Sequence, residues 1–321
     1  MAFPYQSALV TGGAGFIGSH LVDALVAGGC RVSVLDDLSA GKMENLQQSA
    51  DGVDFHRGDI RDMSAVRRAL GDCEAVFHLA AMVSVPQTVS DPLQSTEINI
   101  MGTVNVLEAA RQRQCRAVIF ASSCAVYGDH PQLPKTEQMP TQSLSPYAQQ
   151  KLTAEQYLSL FHRIYDLSAV SLRFFNVYGP RQDPSSPYSG LISIFMNRAL
   201  AQESPNIYGD GRQSRDFIYV KDIARALMLA AAPGAAGCVI NVGSGKSVAI
   251  AELWEKISSL AGVRVPARYL EAREGDIRHS LSSIELAREM LGFAPSVDLD
   301  NGLLRTFEWY RENRIKGSRD Y

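Results

Sequence analysis

Short apolar runs alternate with helical patterns along the first half of the chain, and this alternation restricts the fold more than any other feature. The runs stand at residues 8–11, 32–35, 53–56, 75–79 and 118–121. Such short runs are typical of strands buried on both faces of a sheet. Helical patterns stand at 16–27, 63–70, 98–113 and 147–165, and a further strand is expected at 169–174. Strands that alternate with helices build βαβ units, so we predict a doubly wound, parallel, Rossmann-type α/β sheet.

The character of the sequence changes after residue 176. Residues 179–190 and 204–216 are rich in Gly, Pro, Ser, Asp and Arg, which is typical of functional loops. We therefore predict a nucleotide-binding domain at 1–176 and a smaller α/β substrate-binding domain at 177–321. Segments within 217–246 are expected to return to the first sheet.

Composition and charge exclude several classes of partner. The 321 residues, 46% hydrophobic and 20% charged, suit a globular chain of one large or two modest domains. A net charge of −3 provides no basic field for nucleic acid or for an anionic membrane surface. The five cysteines are dispersed, so neither a disulfide framework nor a thiolate metal site is expected. With no secretory signal or membrane span recognisable in the sequence, we expect a cytoplasmic protein.

A glycine-rich turn, ALVTGGAGFIG at 8–18, joins the first predicted strand to the first predicted helix. Gly12, Gly15 and Gly18 permit the tight turn, the close approach of the backbone to a pyrophosphate and close helix–strand packing. The helix start at Phe16 and Ile17 offers free N–H groups and a positive dipole end to the phosphates. The motif predicts a dinucleotide site.

An acidic pair, Asp36 and Asp37, ends the next predicted strand. Asp36 lies 18 residues beyond Gly18, close to the ~20 expected for a carboxylate that binds the adenosine ribose. Its charge would repel a 2′-phosphate, so we predict NAD rather than NADP as the cofactor. Asp59 and Ile60, after the third strand, are expected near the adenine, although Asp59 could equally be a turn residue.

Tyr147 and Lys151, four residues apart on a predicted helix, share one face of it. Ser123 follows the strand at 118–121, and ligands of open α/β sheets bind at the carboxyl ends of the strands. The lysine and a cationic nicotinamide ring would both lower the pKa of Tyr147 below ~10. The three residues are therefore candidates for a proton-transfer group with Tyr147 as general base.

The motifs occur in the order found in the extended short-chain dehydrogenase/reductase family, which the chain resembles along essentially its whole length. They are TGGAGFIG at 11–18, HLAA at 78–81, Asn99 before Gly102, SSCAVYG at 122–128 and YAQQK at 147–151. Within that family the chain is most similar to nucleotide-sugar 4-epimerases, and closest to the UDP-N-acetylglucosamine/UDP-N-acetylgalactosamine 4-epimerases of bacterial surface-polysaccharide pathways. LSPYA at 144–148, RFFNVYGPRQDP at 173–184, GDGRQSRDFIYVKDI at 209–223 and REGDIRHS at 273–280 carry this closer likeness.

The resemblance implies roles for individual residues. Ser123 would be the catalytic hydroxyl, Tyr147 the base, and Lys151 the group that binds the nicotinamide ribose. Ala80 and Asn99 match positions in the cofactor pocket. The implied substrate positions are Asn176, Arg215 and Arg273 on the UDP diphosphate, Tyr208 on uracil, Asp276 at the uridine ribose, and Ser84 and Ser280 near the sugar.

Each substrate position also has a plainer explanation in the sequence alone. Arg215 and Arg273 could be surface ion-pair partners. Tyr208 could be a core residue, and Asn176 could cap a turn. Ser280 stands where, in the resembled family, a bulky ring would exclude a 2-acetamido group, so a serine there predicts that N-acetylated sugars are accepted. It could also be an ordinary loop serine.

The implied activity is interconversion of UDP-GlcNAc and UDP-GalNAc, with UDP-Glc and UDP-Gal as further substrates, through a 4-keto intermediate and with tightly bound NAD. A UDP-glucuronate 4-epimerase is an alternative, because Arg278 could meet a carboxylate. A 4,6-dehydratase or a uronate decarboxylase would carry an acid where Cys124 and Ala125 stand. A non-catalytic NAD-binding scaffold would be expected to lose the Tyr147–Lys151 pair.

The resemblance also implies a homodimer, formed by helices near 99–112 and 151–165 in a four-helix bundle. Its apolar face would come from Ala109, Ala110, Leu152, Tyr157 and Phe161, although packing within one domain would explain them as well. His78 and His130 have no further ligands at metal-binding spacing, so we expect them to be structural and predict no metal site.

Overall fold

The regular elements follow the predicted alternation of strands and helices. The computed structural model describes residues 3–183, 190–272 and 277–317, with only the backbone for 314–317. The strands are β1 (Ser7–Thr11), β2 (Arg31–Asp36), β3 (Val53–Arg57), β4 (Ala75–His78), β5 (Ala117–Ser123), β6 (Ala169–Phe174), β7 (Asn176–Tyr178), β8 (Asn206–Tyr208), β9 (Ser214–Arg215), β10 (Phe217–Tyr219), β11 (Val239–Val242), β12 (Val248–Ala249) and β13 (Arg268–Leu270). The helices are α1 (Phe16–Ala27), α2 (Met63–Leu70), α3 (Val85–Ser90), α4 (Pro92–Thr96), α5 (Gly102–Gln112), α6 (Pro146–Tyr165), α7 (Leu191–Ala201), α8 (Val220–Ala230), α9 (Ile250–Ala261), α10 (Glu285–Leu291) and α11 (Leu299–Gly317). Shorter turns are the 3₁₀ segments Met43–Gly52 and Cys124–Tyr127 and the π-helical turn Glu97–Met101.

A seven-stranded sheet in the order β11-β6-β5-β4-β1-β2-β3 forms the centre of the fold. All its strand pairs are parallel. The chain builds the sheet outward from β1 in one direction with β2 and β3, and in the opposite direction from β4 onward. A crevice opens between β1 and β4, where the direction changes, at the carboxyl ends of the strands. The predicted Rossmann-type α/β class is confirmed, and β11 is the segment that returns to the first sheet.

The rest of the chain forms small two-stranded sheets, β7 with β10, β9 with β12 and β8 with β13. Two apolar cores cover the faces of the central sheet. A further core gathers side chains of α7, α9 and α11, including Phe195, Trp254 and Phe307. The domain boundary at residue 176 stays a prediction, although β7 begins there.

The predicted helix at 98–113 differs in its first turn, which is the π-helical turn Glu97–Met101 followed by α5. Most side chains proposed for a dimer face belong instead to the chain's own core. Ala109, Ala110 and Phe161 are buried under the sheet, and Leu152 packs against another internal cluster. Tyr157 alone of the five is exposed. For these four residues the alternative, packing within the chain itself, is therefore the one that the structure supports, while Tyr157 at a dimer face stays a prediction.

Within the described residues, no helix has both the length and the apolar character needed to cross a membrane.

Candidate active site

The glycine-rich turn lies against the start of the segment that follows β4. Gly12 has φ +71°, a conformation that strains other residues, and a Cβ there would approach the Ala80 nitrogen to 2.7 Å. A Cβ on Gly18 would lie 2.1 Å from the Gly12 carbonyl oxygen. Any side chain at these two positions would push the turn away from β4 or from α1. The turn therefore depends on glycine where the sequence analysis placed it.

The start of α1 suits a phosphate group. Its N-cap is Gly15, which has no side chain to cap the first turn, and that turn, including Phe16 and Ile17, carries no acidic residue. Its N–H groups and the positive end of the helix dipole thus remain available to an anion. Asp36 accepts hydrogen bonds from the Ala14 nitrogen at 2.9 Å and the Leu38 nitrogen at 2.8 Å. These features fit the phosphates and a ribose of a dinucleotide.

The other acidic residues predicted near the cofactor are engaged locally. The Asp37 carboxylate accepts from the backbone and the hydroxyl of Ser39 at the surface. Asp59 pairs with Arg61 at 2.6 Å, and hydrogen bonds from this guanidinium lower the pKa of Asp59. Ile60 is buried in the core, where a Cβ on Gly102 would approach its Cδ1 to 2.5 Å. Contact of Asp37 with the cofactor, and of Asp59 and Ile60 with its adenine, stays a prediction.

Asn99 holds the segment after β4 in place. Its amide accepts from the Met82 nitrogen at 2.8 Å, and donates to the Met82 oxygen at 3.0 Å and to Gln150 Oε1 at 2.7 Å. The cofactor-pocket residue implied by the family thus shapes the crevice wall with hydrogen bonds to the chain itself.

His78 belongs to the same wall and is neutral. Burial lowers its pKa to about 3. Thr103 donates its hydroxyl to the Asn99 oxygen, so it accepts from His78 Nε2 at 2.9 Å, and Thr11 donates to His78 Nδ1 at 2.7 Å. The expected structural role of His78 agrees with these contacts.

Ser123, Tyr147 and Lys151 meet at the carboxyl end of β5. Lys151 Nζ donates to the Ala121 oxygen at 2.7 Å and lies 5.8 Å from the centre of the Tyr147 ring. Ser123 caps the following 3₁₀ turn by accepting from the Ala125 nitrogen, and its hydroxyl also interacts with Tyr147. The three predicted residues thus share one site, one strand away from the glycine-rich crevice.

The expected lowering of the Tyr147 pKa is not seen in the chain itself. Burial raises the pKa of Tyr147 to about 12, and the Ser123 hydroxyl only partly opposes this. Burial also lowers the pKa of Lys151 to about 7, so much of its positive charge is lost near neutral pH. The expectation overlooked desolvation, which disfavours the charged form of both groups.

Three of the predicted substrate residues lie on the small two-stranded sheets. Asn176 begins β7, and Arg215 ends β9, where its guanidinium donates to the Ser214 and Arg278 oxygens. Tyr208 ends β8 and is partly buried. Two more predicted positions, Arg273 and Asp276, lie outside the described residues.

Two serines predicted near the sugar have visible local roles. Ser280 is buried and its nitrogen donates to the Ser214 oxygen, which attaches the 279–282 segment to β9. The Ser84 hydroxyl caps α3 by accepting from the Gln87 nitrogen at 3.3 Å. Contact of either serine with a substrate stays a prediction. Arg278 is exposed and pairs with Asp210 at 2.9 Å, so it is committed to a surface ion pair.

The sequence analysis missed Asp216, which organises this side of the site. It is fully buried and accepts from the backbone and the hydroxyl of both Ser244 and Ser282, and from the Gly245 nitrogen. It thereby joins three loops beside Arg215. An aspartate preceding an apolar strand was the only signal, and it does not distinguish a surface residue from a buried acceptor.

A buried ion pair between Glu155 and Arg173 was missed as well. Both charges stand in segments that are otherwise buried, on α6 and β6. A charge within such a segment was the signal that could have revealed it, because buried charges are kept only when paired.

No cluster of three or more potential metal ligands occurs in the part of the chain that the structure describes.

A glycine-rich crevice beside a Ser–Tyr–Lys group is typical of Rossmann-type enzymes that use a nicotinamide dinucleotide. Residues 8–243 match the model of the NAD dependent epimerase/dehydratase family. The chain belongs to this family, its cofactor is NAD, and the predicted family and cofactor are confirmed.

Relatives of known name align with nearly the whole chain. The UDP-glucose 4-epimerase of Mycolicibacterium smegmatis is 41% identical over 94% of this chain and 98% of its own. The UDP-N-acetylglucosamine 4-epimerase of Methanobrevibacter ruminantium, solved with UDP-N-acetylmuramic acid, has a TM-score of 0.92 and 44% identity over 96% of this chain and 99% of its own. The UDP-glucose 4-epimerase of Thermus thermophilus, solved with NAD, has a TM-score of 0.87 and 38% identity over 95% of this chain and 99% of its own.

We predict that Lys151→Met stabilises the fold. With the pKa of Lys151 at about 7 in the folded chain and ~10.4 in the unfolded chain, the unfolded state holds this proton to higher pH. Burial of the protonated Lys151 ammonium therefore lowers the free energy of unfolding by its full amount below pH 7, and by less as the pH rises towards 10. The free energy of unfolding in urea should rise by about 1–3 kcal/mol at pH 6 and by less at pH 9.

The matched control is Lys246→Met, which removes an exposed lysine and should leave stability unchanged. An equal gain for Lys151→Met at both pH values, or a loss at pH 6, would contradict the assignment.

Proposed function

We propose that this protein is an NAD-dependent UDP-sugar 4-epimerase that interconverts UDP-GlcNAc and UDP-GalNAc and also accepts UDP-Glc and UDP-Gal. The observation that carries the proposal is the Ser123–Tyr147–Lys151 group at the end of β5, beside a crevice that fits NAD. The relatives from M. smegmatis, M. ruminantium and T. thermophilus, all named as 4-epimerases, support 4-epimerisation.

Tyr147 moves the proton in this proposal. Its phenolate takes the proton of the sugar C4 hydroxyl and returns it to the same oxygen after the sugar has presented its other face. Ser123 orients that hydroxyl, and Lys151 contributes positive charge that favours the phenolate. When bound, NAD supplies the hydride acceptor and donor. Since hydride and proton are both returned, epimerisation conserves the mass of the substrate.

The enzyme has to hold the nucleotide firmly and the sugar loosely. Arg215 and Asn176 are proposed to bind the diphosphate, together with Arg273, because a guanidinium can bind a phosphate through two hydrogen bonds. Tyr208 would stack on uracil, with Asp276 at its ribose. Asp216, buried beside Arg215, fixes the loops on which this binding of the diphosphate would depend.

The decisive assay incubates the enzyme, with NAD added, separately with UDP-GlcNAc, UDP-Glc and UDP-GlcA. Epimers of unchanged mass from the first two are expected. A product that has lost water or carbon dioxide would indicate a dehydratase or a decarboxylase, and would overturn the proposal. An epimer formed from UDP-GlcA in preference to the other two substrates would favour the uronate alternative, in which Arg278 would leave its exposed ion pair with Asp210 to meet the carboxylate.

Tyr147→Phe removes the proposed base while keeping the ring. Turnover should fall by ~10²–10⁴-fold with UDP-sugar binding retained, as measured by coupled assay and calorimetry. Tyr165→Phe, at an exposed position on the same helix, is the control and should be fully active. Substantial turnover by Tyr147→Phe would refute the assigned base.

Ser280 is proposed to leave space for the 2-acetamido group. We predict that Ser280→Tyr abolishes turnover of UDP-GlcNAc while sparing UDP-Glc, since a ring would fill that space. Ser280→Ala should keep both activities. Equal loss of the two substrates in Ser280→Tyr would show that this position does not select the sugar.

We further propose a homodimer formed through the outer faces of α5 and α6. Leu160 and Ile164, one turn apart on α6, are 38% and 63% exposed, and Met101, at the start of α5, is 54% exposed. Exposed apolar side chains on two helices that contact each other favour burial against a second copy.

Leu160→Glu combined with Ile164→Glu should convert the dimer to a monomer in light scattering, because charges would be buried at its centre. Leu304→Glu alters an exposed leucine on α11 and should leave the mass unchanged. A wild-type monomer at micromolar concentration would rule out this assembly.

A further inference from the structure

A buried ion pair lies directly behind the catalytic group. Glu155 on α6 and Arg173 on β6 have side chains only 3% and 6% exposed. The guanidinium donates from Nε to Glu155 Oε1 at 2.9 Å and from Nη2 to Oε2 at 2.7 Å. Its Nη1 donates to the Tyr127 hydroxyl at 2.9 Å. The contact is bidentate, which gives the pair one fixed geometry.

The pair is joined to the strand that ends at Ser123. Ser122 donates its hydroxyl to Glu155 Oε1, and the strand register places Ser122 opposite Arg173. One carboxylate therefore connects β5, β6 and α6 at the residue before Ser123. Loss of this connection would let the end of β5 shift, and Ser123 would shift with it.

Glu155 also lies one helical turn beyond Lys151, on the same face of α6. The other titratable groups around Lys151 carry little charge. His78 on β4 is neutral because burial lowers its pKa, and burial raises the pKa of Tyr147. Cys124 is likewise a neutral thiol, because burial raises its pKa to about 12. Desolvation of Lys151 is thus opposed by the charge of Glu155.

We propose that Glu155, held in place by Arg173, is a positioning residue of the catalytic group: it fixes the end of β5 through Ser122, and its negative charge opposes the loss of the Lys151 proton. This rests on the proposed role of Lys151 beside Tyr147. Arg173 anchors the carboxylate without touching the reacting atoms. The alternative is a pair that only stabilises the packing of α6 on the sheet.

The test is a pH titration of Lys151 itself. The titration is monitored through the ¹³Cε NMR signal of this lysine in the full-length protein without substrate. The signal is assigned by its absence in Lys151→Met. Wild type should titrate near pH 7. In Glu155→Gln the midpoint should fall by about one pH unit or more, because the compensating charge is gone. The high-pH limb of kcat should move in the same direction.

Tyr127→Phe is the matched control, since it removes a hydrogen bond to Arg173 without changing charge, and its midpoint should equal that of wild type. If Glu155→Gln does not fold, the double variant Glu155→Gln/Arg173→Met removes both charges and should also lower the midpoint. A wild-type midpoint in a folded Glu155 variant overturns the proposal, and so does failure of both variants to fold.

The two proposals fail separately. A shifted Lys151 midpoint in a protein that does not epimerise would refute the proposed function but leave the role of Glu155 intact. An active epimerase with an unshifted midpoint in Glu155→Gln would refute the role of Glu155 alone.

Discussion

The site depends on the burial of a cation and a phenol at the carboxyl end of β5. Lys151 and Tyr147 each lose hydration there, so both charged forms are disfavoured: the pKa of Lys151 falls to about 7 and that of Tyr147 rises to about 12. Near pH 7 Tyr147 is therefore a neutral phenol, whereas Lys151 is only partly protonated. Positive charge brought into the site favours the phenolate of Tyr147, because attraction between opposite charges is strong where water is excluded. Tyr147, the proposed base, is therefore protonated in the chain alone, and a bound oxidised dinucleotide would favour its phenolate.

Much of the fold follows from local patterns in the sequence. Residues 16–27 and 63–70 form α1 and α2 as predicted, and 169–174 forms β6. Short apolar runs buried on both faces leave few alternatives to parallel strands. The same logic located the glycine-rich turn and the Tyr147–Lys151 pair, because those motifs combine spacing with a known element on each side.

The parts that sequence reasoning missed depend on partners distant in the chain. Asn99 meets Met82 and Gln150, and Asp216 meets loops 28 and 66 residues away. Side-chain direction likewise decided which apolar residues of α6 lie in the core, since α6 has apolar residues on both its inner and outer sides. When a helix carries apolar residues on two faces, the spacing of those residues in the sequence does not show which face packs into the core.

The two halves of the chain are tied together beside the cofactor crevice. His20 on α1 donates from Nε2 to the Pro180 oxygen, Arg181 pairs with Asp23 at 2.8 Å, and Lys42 pairs with Asp183 at 2.8 Å. Burial lowers the pKa of His20 to about 4, so its contact is a neutral hydrogen bond that does not vary near physiological pH. In the proposed mechanism the sugar turns about its diphosphate, so the distance between the nucleotide-binding residues and Tyr147 would have to stay constant. These contacts would hold that distance from the cofactor side, and the loops joined by Asp216 would hold it from the proposed substrate side.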